Sequence, residues 1–141
     1  MMSLETSERN RWIDAHSPTD SEIATLIETA EHAIDQADSL IGLSPAWKMK
    51  MAYDAILCCA RACLYRSGYR ASRTGDHYRE IQSLELTIGI ASDRVDVLDS
   101  FRQRRNAATY ESFEIISVEE ALHTLREAKE LLMKVKSWID I

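Results

Sequence analysis

Glycine and proline are scarce in this sequence, four and two among 141 residues. So few turn formers cannot punctuate a β-sandwich or a barrel, and they exclude a Pro/Gly-rich disordered tract. No apolar run approaches the roughly 20 residues of a membrane span, and the opening "MMSLETSERNRW" lacks the apolar segment of a secretory signal. A cytoplasmic protein with no membrane association is expected. Cysteine is confined to Cys58, Cys59 and Cys63. A disulfide framework needs separated pairs, and a zinc site needs four ligands at loop-friendly spacing; this cluster offers neither, His77 being the one further ligand in reach. The three are expected to be small apolar fillers of a helix in a reducing compartment, and neither a metal nor a cofactor is expected.

Positive charge is also in deficit, with 17 Lys and Arg against 23 Asp and Glu. That balance argues against a protein that coats nucleic acid without specificity. The deficit is uneven. Residues 1–43 carry nine acids and two bases, residues 44–79 two acids and seven bases, and residues 80–141 twelve acids and eight bases. Arg61, Arg66, Arg70, Arg73 and Arg79 make the middle basic, and Arg102, Arg104 and Arg105 form a second knot. The excess is either a solvated helix face with a basic loop or a site for phosphate or nucleic acid.

What is present in quantity is helical periodicity. After a polar lead over residues 1–18, Ile23, Ile27, Ala30, Ile34, Ala37 and Ile41 form one stripe, with acids in the first turn and Gly42 as a stop. Ser44 and Pro45 open a second helix that runs to about Ser67 before Gly68, with Ala52, Tyr53, Ile56, Ala60, Cys63 and Leu64 inward. A basic, flexible loop "GYRASRTGDH" leads to a third helix, in which Tyr78, Ile81, Leu84 and Ile88 are spaced for burial and Gly89 is the end. Ser92 caps a fourth helix reaching about Tyr110. Ser117 with Glu120 reads as a capping box for the last, whose stripe is Val118, Ala121, Leu122, Leu125, Leu132, Val135 and Ile139. Short links between long amphipathic helices predict an all-α, up-and-down bundle of about five helices, a single domain over 1–141 with the fourth helix central.

The fourth helix carries the anomaly. In "FRQRRNAATYE", residues 101–111, Arg102 and Arg105 fall in the same stripe as Ala91, Leu98 and Phe101. A guanidinium aimed at a core is costly unless a carboxylate, a phosphate or water meets it. Either the two arginines pair with carboxylates such as Glu85 or Asp99 and staple helices together, or they line a subunit contact, or they hold an anion.

The string "RRNAATY", on the fourth helix of a bundle whose second helix reads "AYDAILCCARACLYRSGYR" and is followed by "GDHY", resembles bacterial HEPN-domain proteins, the small helical group that includes toxin-type ribonucleases. The likeness covers most of residues 45–115. The usual family motif is an arginine, often followed by asparagine, and a histidine after an interval of four to six residues. Arg105 and Asn106 match its start, and Tyr110 stands in the histidine place. The resemblance implies a homodimer with the two fourth helices facing each other across a positive cleft. In catalytic members the arginine stabilises charge on the scissile phosphate and the histidine moves the proton of the ribose 2′-hydroxyl, with no metal. Tyr110, with a reference pKa of about 10, is a poor general base.

On this resemblance Arg105 and Tyr110 are the candidate catalytic pair, and Arg102, Arg105, Asn106 and His77 the candidate anion- or RNA-binding residues. His77 is the histidine placed beside the basic region; it is either a substitute base or an ordinary residue at a helix start. Tyr110 suits stacking on a base or donating a hydrogen bond. The function classes left open are a dimeric binding or regulatory module for RNA or a nucleotide with weak or lost catalysis, a metal-independent endoribonuclease of a toxin-antitoxin system with an antitoxin protein as partner, and a helical dimerisation protein without ligand.

Overall fold

The computed structural model describes residues 2–110 and 116–140, the side chains of residues 107–110 excepted. In chain order the elements are α1 (Leu4–Arg9), β1 (Ile13–Ala15), α2 (Asp20–Ser39), α3 (Pro45–Arg66), β2 (Tyr69–Ala71), α4 (His77–Gln82), α5 (Leu84–Thr87), α6 (Ser92–Tyr110) and α7 (Val118–Ile139). The fold is all-α apart from one small antiparallel pair, β1 with β2, in which Ile13 faces Ala71 and Ala15 faces Tyr69. No helix among the described residues is long and apolar enough to cross a membrane.

The long helices start where capping chemistry places them. Thr19, Ser44 and Ser117 each accept a hydrogen bond from the amide three residues on, at the heads of α2, α3 and α7. Ser117 caps as expected, but Glu120 is used differently. Its carboxylate accepts from Nε and Nη2 of Arg104 at 3.0 and 3.2 Å and so ties α7 to α6.

The helix at the centre is α3, not α6. Ala52, Ala55, Ala60, Ala62, Cys59 and Cys63 of α3 are all fully buried, and such small side chains let α2, α6 and α7 pack close around it. Burial raises the pKa of the Cys63 thiol to about 12, so it packs as an apolar group. In contrast, among its described side chains α6 buries Val95, Leu98, Phe101 and the carboxylate-bearing Asp99, and the others are polar or half-buried.

Several local expectations are corrected. The polar lead holds α1 and β1, and the loop after Gly68 begins as β2; the two strands pair, and Ile13 is buried. The third helix is interrupted at Ser83, which ends α4 and starts α5. Ile41 is fully exposed at 102%, since α2 ends at Ser39. Tyr78, Val118 and Leu122 are exposed rather than buried.

Candidate functional site

Three helices bring the candidate side chains together around Tyr53 of α3. His77 is the first residue of α4, and its ring centroid lies 6.3 Å from that of Tyr53, at an interplanar angle of 62°. The Arg105 guanidinium, from α6, lies 5.7 Å from the centre of the Tyr53 ring. One turn earlier on α6, Arg102 sits 5.4 Å from the ring centre of Tyr78. Both contacts place a cation toward an aromatic face, where the ring quadrupole attracts it.

Of the partners foreseen for Arg102, Asp99 is the one it takes. Arg102 donates from Nε to Oδ1 at 2.7 Å and from Nη2 to Oδ2 at 3.3 Å. Gln103 donates a further bond to Oδ2 at 3.1 Å. Asp99 is only 7% exposed, so this fork holds a buried carboxylate and keeps the Arg102 pKa above its usual value. Because the pairing uses Nε and Nη2, the Nη1 group of Arg102 stays outside it.

A second fork supports the site from below. Arg61 of α3 donates from Nε and Nη2 to Glu80 of α4, at 2.6 and 3.1 Å. Glu80 is buried, and the pair fixes α4, and with it His77, against α3. Arg61, part of the basic excess in sequence, is therefore spent on a carboxylate. The same holds for Arg104 on Glu120.

The electrostatics follow from this packing. Burial lowers the His77 pKa below its ordinary value; Glu80 pulls it up, and Arg61 and Arg105 push it further down. The packing therefore favours the neutral imidazole of His77, the form able to accept a proton. Its C2 proton should titrate with a midpoint below 6.5 in an NMR series. The sign for stability follows. Between the folded and unfolded midpoints the unfolded chain binds more protons, so stability should fall as pH drops through about 6.5 and level off below the folded midpoint. His77→Gln should flatten that slope.

Tyr53 is the residue that sequence reasoning treated as core alone. Its hydroxyl is buried with no hydrogen-bond partner among the described residues. Burial raises its pKa, opposed by the nearby Arg102 and Arg105. Removing an unsatisfied buried hydroxyl relieves a desolvation cost, so Tyr53→Phe should leave the melting temperature unchanged or raise it. The second omission is a stack built on Trp12, whose signal was a lone aromatic in an otherwise polar lead. The Arg79 guanidinium lies 3.7 Å from the centre of the Trp12 ring and 5.1 Å from that of Tyr78.

Of the remaining candidates, Asn106 is exposed on α6, and the Tyr110 side chain lies outside the described residues. His16 lies in the link after β1, His32 on α2 and His123 on α7, stacked edge-on to Phe101. The helical frame and the arginine-bearing α6 agree with a comparison against family models, in which the HEPN domain matches residues 23–138. The chain belongs to the HEPN-domain family. The HEPN match takes in α2 through nearly all of α7 and leaves α1 and β1 outside it. No curated protein matches the chain. Within the HEPN frame, the cluster of His77, Arg102 and Arg105 draws on α4 and α6 and is seated on α3.

Proposed function

We propose that this HEPN chain is a cytoplasmic homodimeric module that binds RNA through Arg102, Arg105, Asn106 and His77, with weak or lost catalysis. The observation that carries the reading is the convergence of His77 and Arg105 on Tyr53, with Arg102 one turn away on α6. Two guanidinium groups near one another on α6, each close to an aromatic ring, are the kind of cation whose N–H donors suit phosphate oxygens. A twofold axis relating two copies of α6 doubles those charges, and such a cluster is tolerable with acids interleaved or with anions bound. Asp99 supplies one acid per chain. Catalysis is weak in this reading because the family's histidine place holds Tyr110, a phenol with little tendency to take up a proton at neutral pH.

One observation favours the second reading, a metal-independent endoribonuclease. His77 packs on Tyr53, the ring that Arg105 also approaches, and burial lowers its pKa, which suits a general base. The two readings separate in one experiment. Purified protein is mixed with fluorescein-labelled single-stranded RNA in EDTA, and binding is followed by anisotropy and cleavage by gel. Binding without cleavage supports the module; cleavage that is lost in His77→Gln supports the ribonuclease; neither binding nor cleavage overturns both. Sedimentation velocity tests the dimer, and a monomer at micromolar concentration would count against it.

A further inference from the structure

Outside the Arg102 and Arg105 cluster, a cavity of about 180 Å³ lies where α1 and β1 meet α4 and α5. Trp12 and Ile13 form its outer wall, and Tyr78, Arg79, Gln82 and Glu85 its inner one. Its outer wall lies outside residues 23–138, the stretch that matches the HEPN domain. The arm that builds it is anchored. Ile13 and Ala15 pair with β2, the Ser72 amide donates to the Trp12 carbonyl at 3.0 Å, and Ser72 Oγ donates to Asp14 Oδ1 at 2.8 Å.

Of the polar side chains at this cavity, Ser7 donates to Met2 Sδ and Ser83 to the Glu80 carbonyl, while three others are uncommitted. Arg79 is held between Trp12 and Tyr78, yet its guanidinium makes no ion pair or hydrogen bond among the described residues. The side chains of Gln82 and Glu85 likewise make none. A stacked guanidinium with open N–H edges is a phosphate receptor. An amide and a carboxylate beside aromatic rings can read the edge of a base. The volume is below the roughly 300–1,000 Å³ of drug-sized sites, which scales it to one ring system.

From Trp12 the aromatic and cationic groups alternate: Trp12, Arg79, Tyr78, Arg102, at 3.7, 5.1 and 5.4 Å between successive guanidinium and ring centres. Tyr78 is 40% exposed, midway along that ladder. We propose that the cavity under Trp12 receives one nucleotide unit, its base beside Gln82 and Glu85 and its phosphate on Arg79, and that the ladder guides an RNA strand from there to Arg102. This rests on the RNA-binding reading above and extends the strand contact beyond the α6 cluster.

The test uses Arg79→Gln and Trp12→Leu in the full chain, each checked by circular dichroism, with Arg105→Ala alongside. Both cavity variants should bind labelled single-stranded RNA roughly 5- to 100-fold more weakly than the parent at equal salt. Tryptophan fluorescence of the parent should be quenched by RNA, and the quenching should vanish in Trp12→Leu. Quenching by adenosine monophosphate alone identifies a free nucleotide as sufficient ligand, whereas quenching by RNA alone identifies the strand. An arginine that merely staples the arm would lower the melting temperature of Arg79→Gln and leave RNA affinity unmoved, which overturns the proposal. If Arg105→Ala loses binding and both cavity variants keep it, this inference fails and the α6 site stands. Loss in the cavity variants alone supports the cavity and removes the α6 reading. Should Arg79→Gln fail to fold, the double variant Gln82→Ala, Glu85→Ala carries the same expectation with the stack intact.

Discussion

Replacing Glu80 by alanine is expected to lower the unfolding free energy by about 3 kcal/mol, the low end of the cost of breaking a buried ion pair. Glu80 is 4% exposed and takes both of its oxygens to Arg61, at 2.6 and 3.1 Å. Truncation removes the carboxylate and leaves the Arg61 guanidinium without it. The loss is not larger because the Arg61 side chain is 32% exposed and regains water on that side. Urea denaturation should show a lower midpoint at unchanged slope, the mark of a stability loss without a change in the surface exposed on unfolding. Adding Arg61→Met should recover part of the loss, since the unpaired cation is then gone; a double-mutant cycle measures how much. A variant as stable as the parent would mean that water replaces the pair without cost. The effect reaches the candidate site, because the same fork sets α4 against α3 and thereby positions His77 beside Tyr53.

Arg105→Ala is expected to weaken RNA binding by ~1–3 kcal/mol, roughly 5- to 150-fold, as loss of a charge-assisted hydrogen bond to phosphate would. Anisotropy titrations at one fixed salt concentration measure it, because the phosphate contribution changes steeply with salt. Arg105→Lys should fall between the two, keeping the charge and losing the fork. Folding should remain largely intact, as Arg105 is half-buried near the last turns of α6. Arg102 is a less clean probe. Its removal strands Asp99, 7% exposed, without the guanidinium that holds both of its oxygens, so stability and binding would fall together. If Arg105→Ala unfolds while neither form binds RNA, the arginines are structural staples and the binding reading is wrong.

The sequence by itself determined the helical class and the inner faces of the three longest helices. Ile23, Ile27, Ala30, Ile34 and Ala37 are buried at helical spacing on α2, as are Ala52, Tyr53, Ile56, Ala60, Cys63 and Leu64 on α3 and Ala121, Leu125, Val135 and Ile139 on α7. Periodicity and caps act within about four residues along the chain, so such features are legible without knowing the partner surface. The HEPN resemblance was likewise readable in the arginine–asparagine string, and the family match bears it out. Tertiary structure decided the rest. That α3 is the central helix followed from its small side chains meeting three neighbours at once. The partner of Arg61 lies 19 residues away and that of Ser72 lies 58 away. Ile13 is buried where Ala71 is brought opposite it and α4 and α5 lie alongside. Trp12 meets Arg79, and Tyr53 meets His77, through packing that no local spacing encodes. A charge or an aromatic ring carries its chemistry in the sequence, but what it faces depends on which distant segment packs against it.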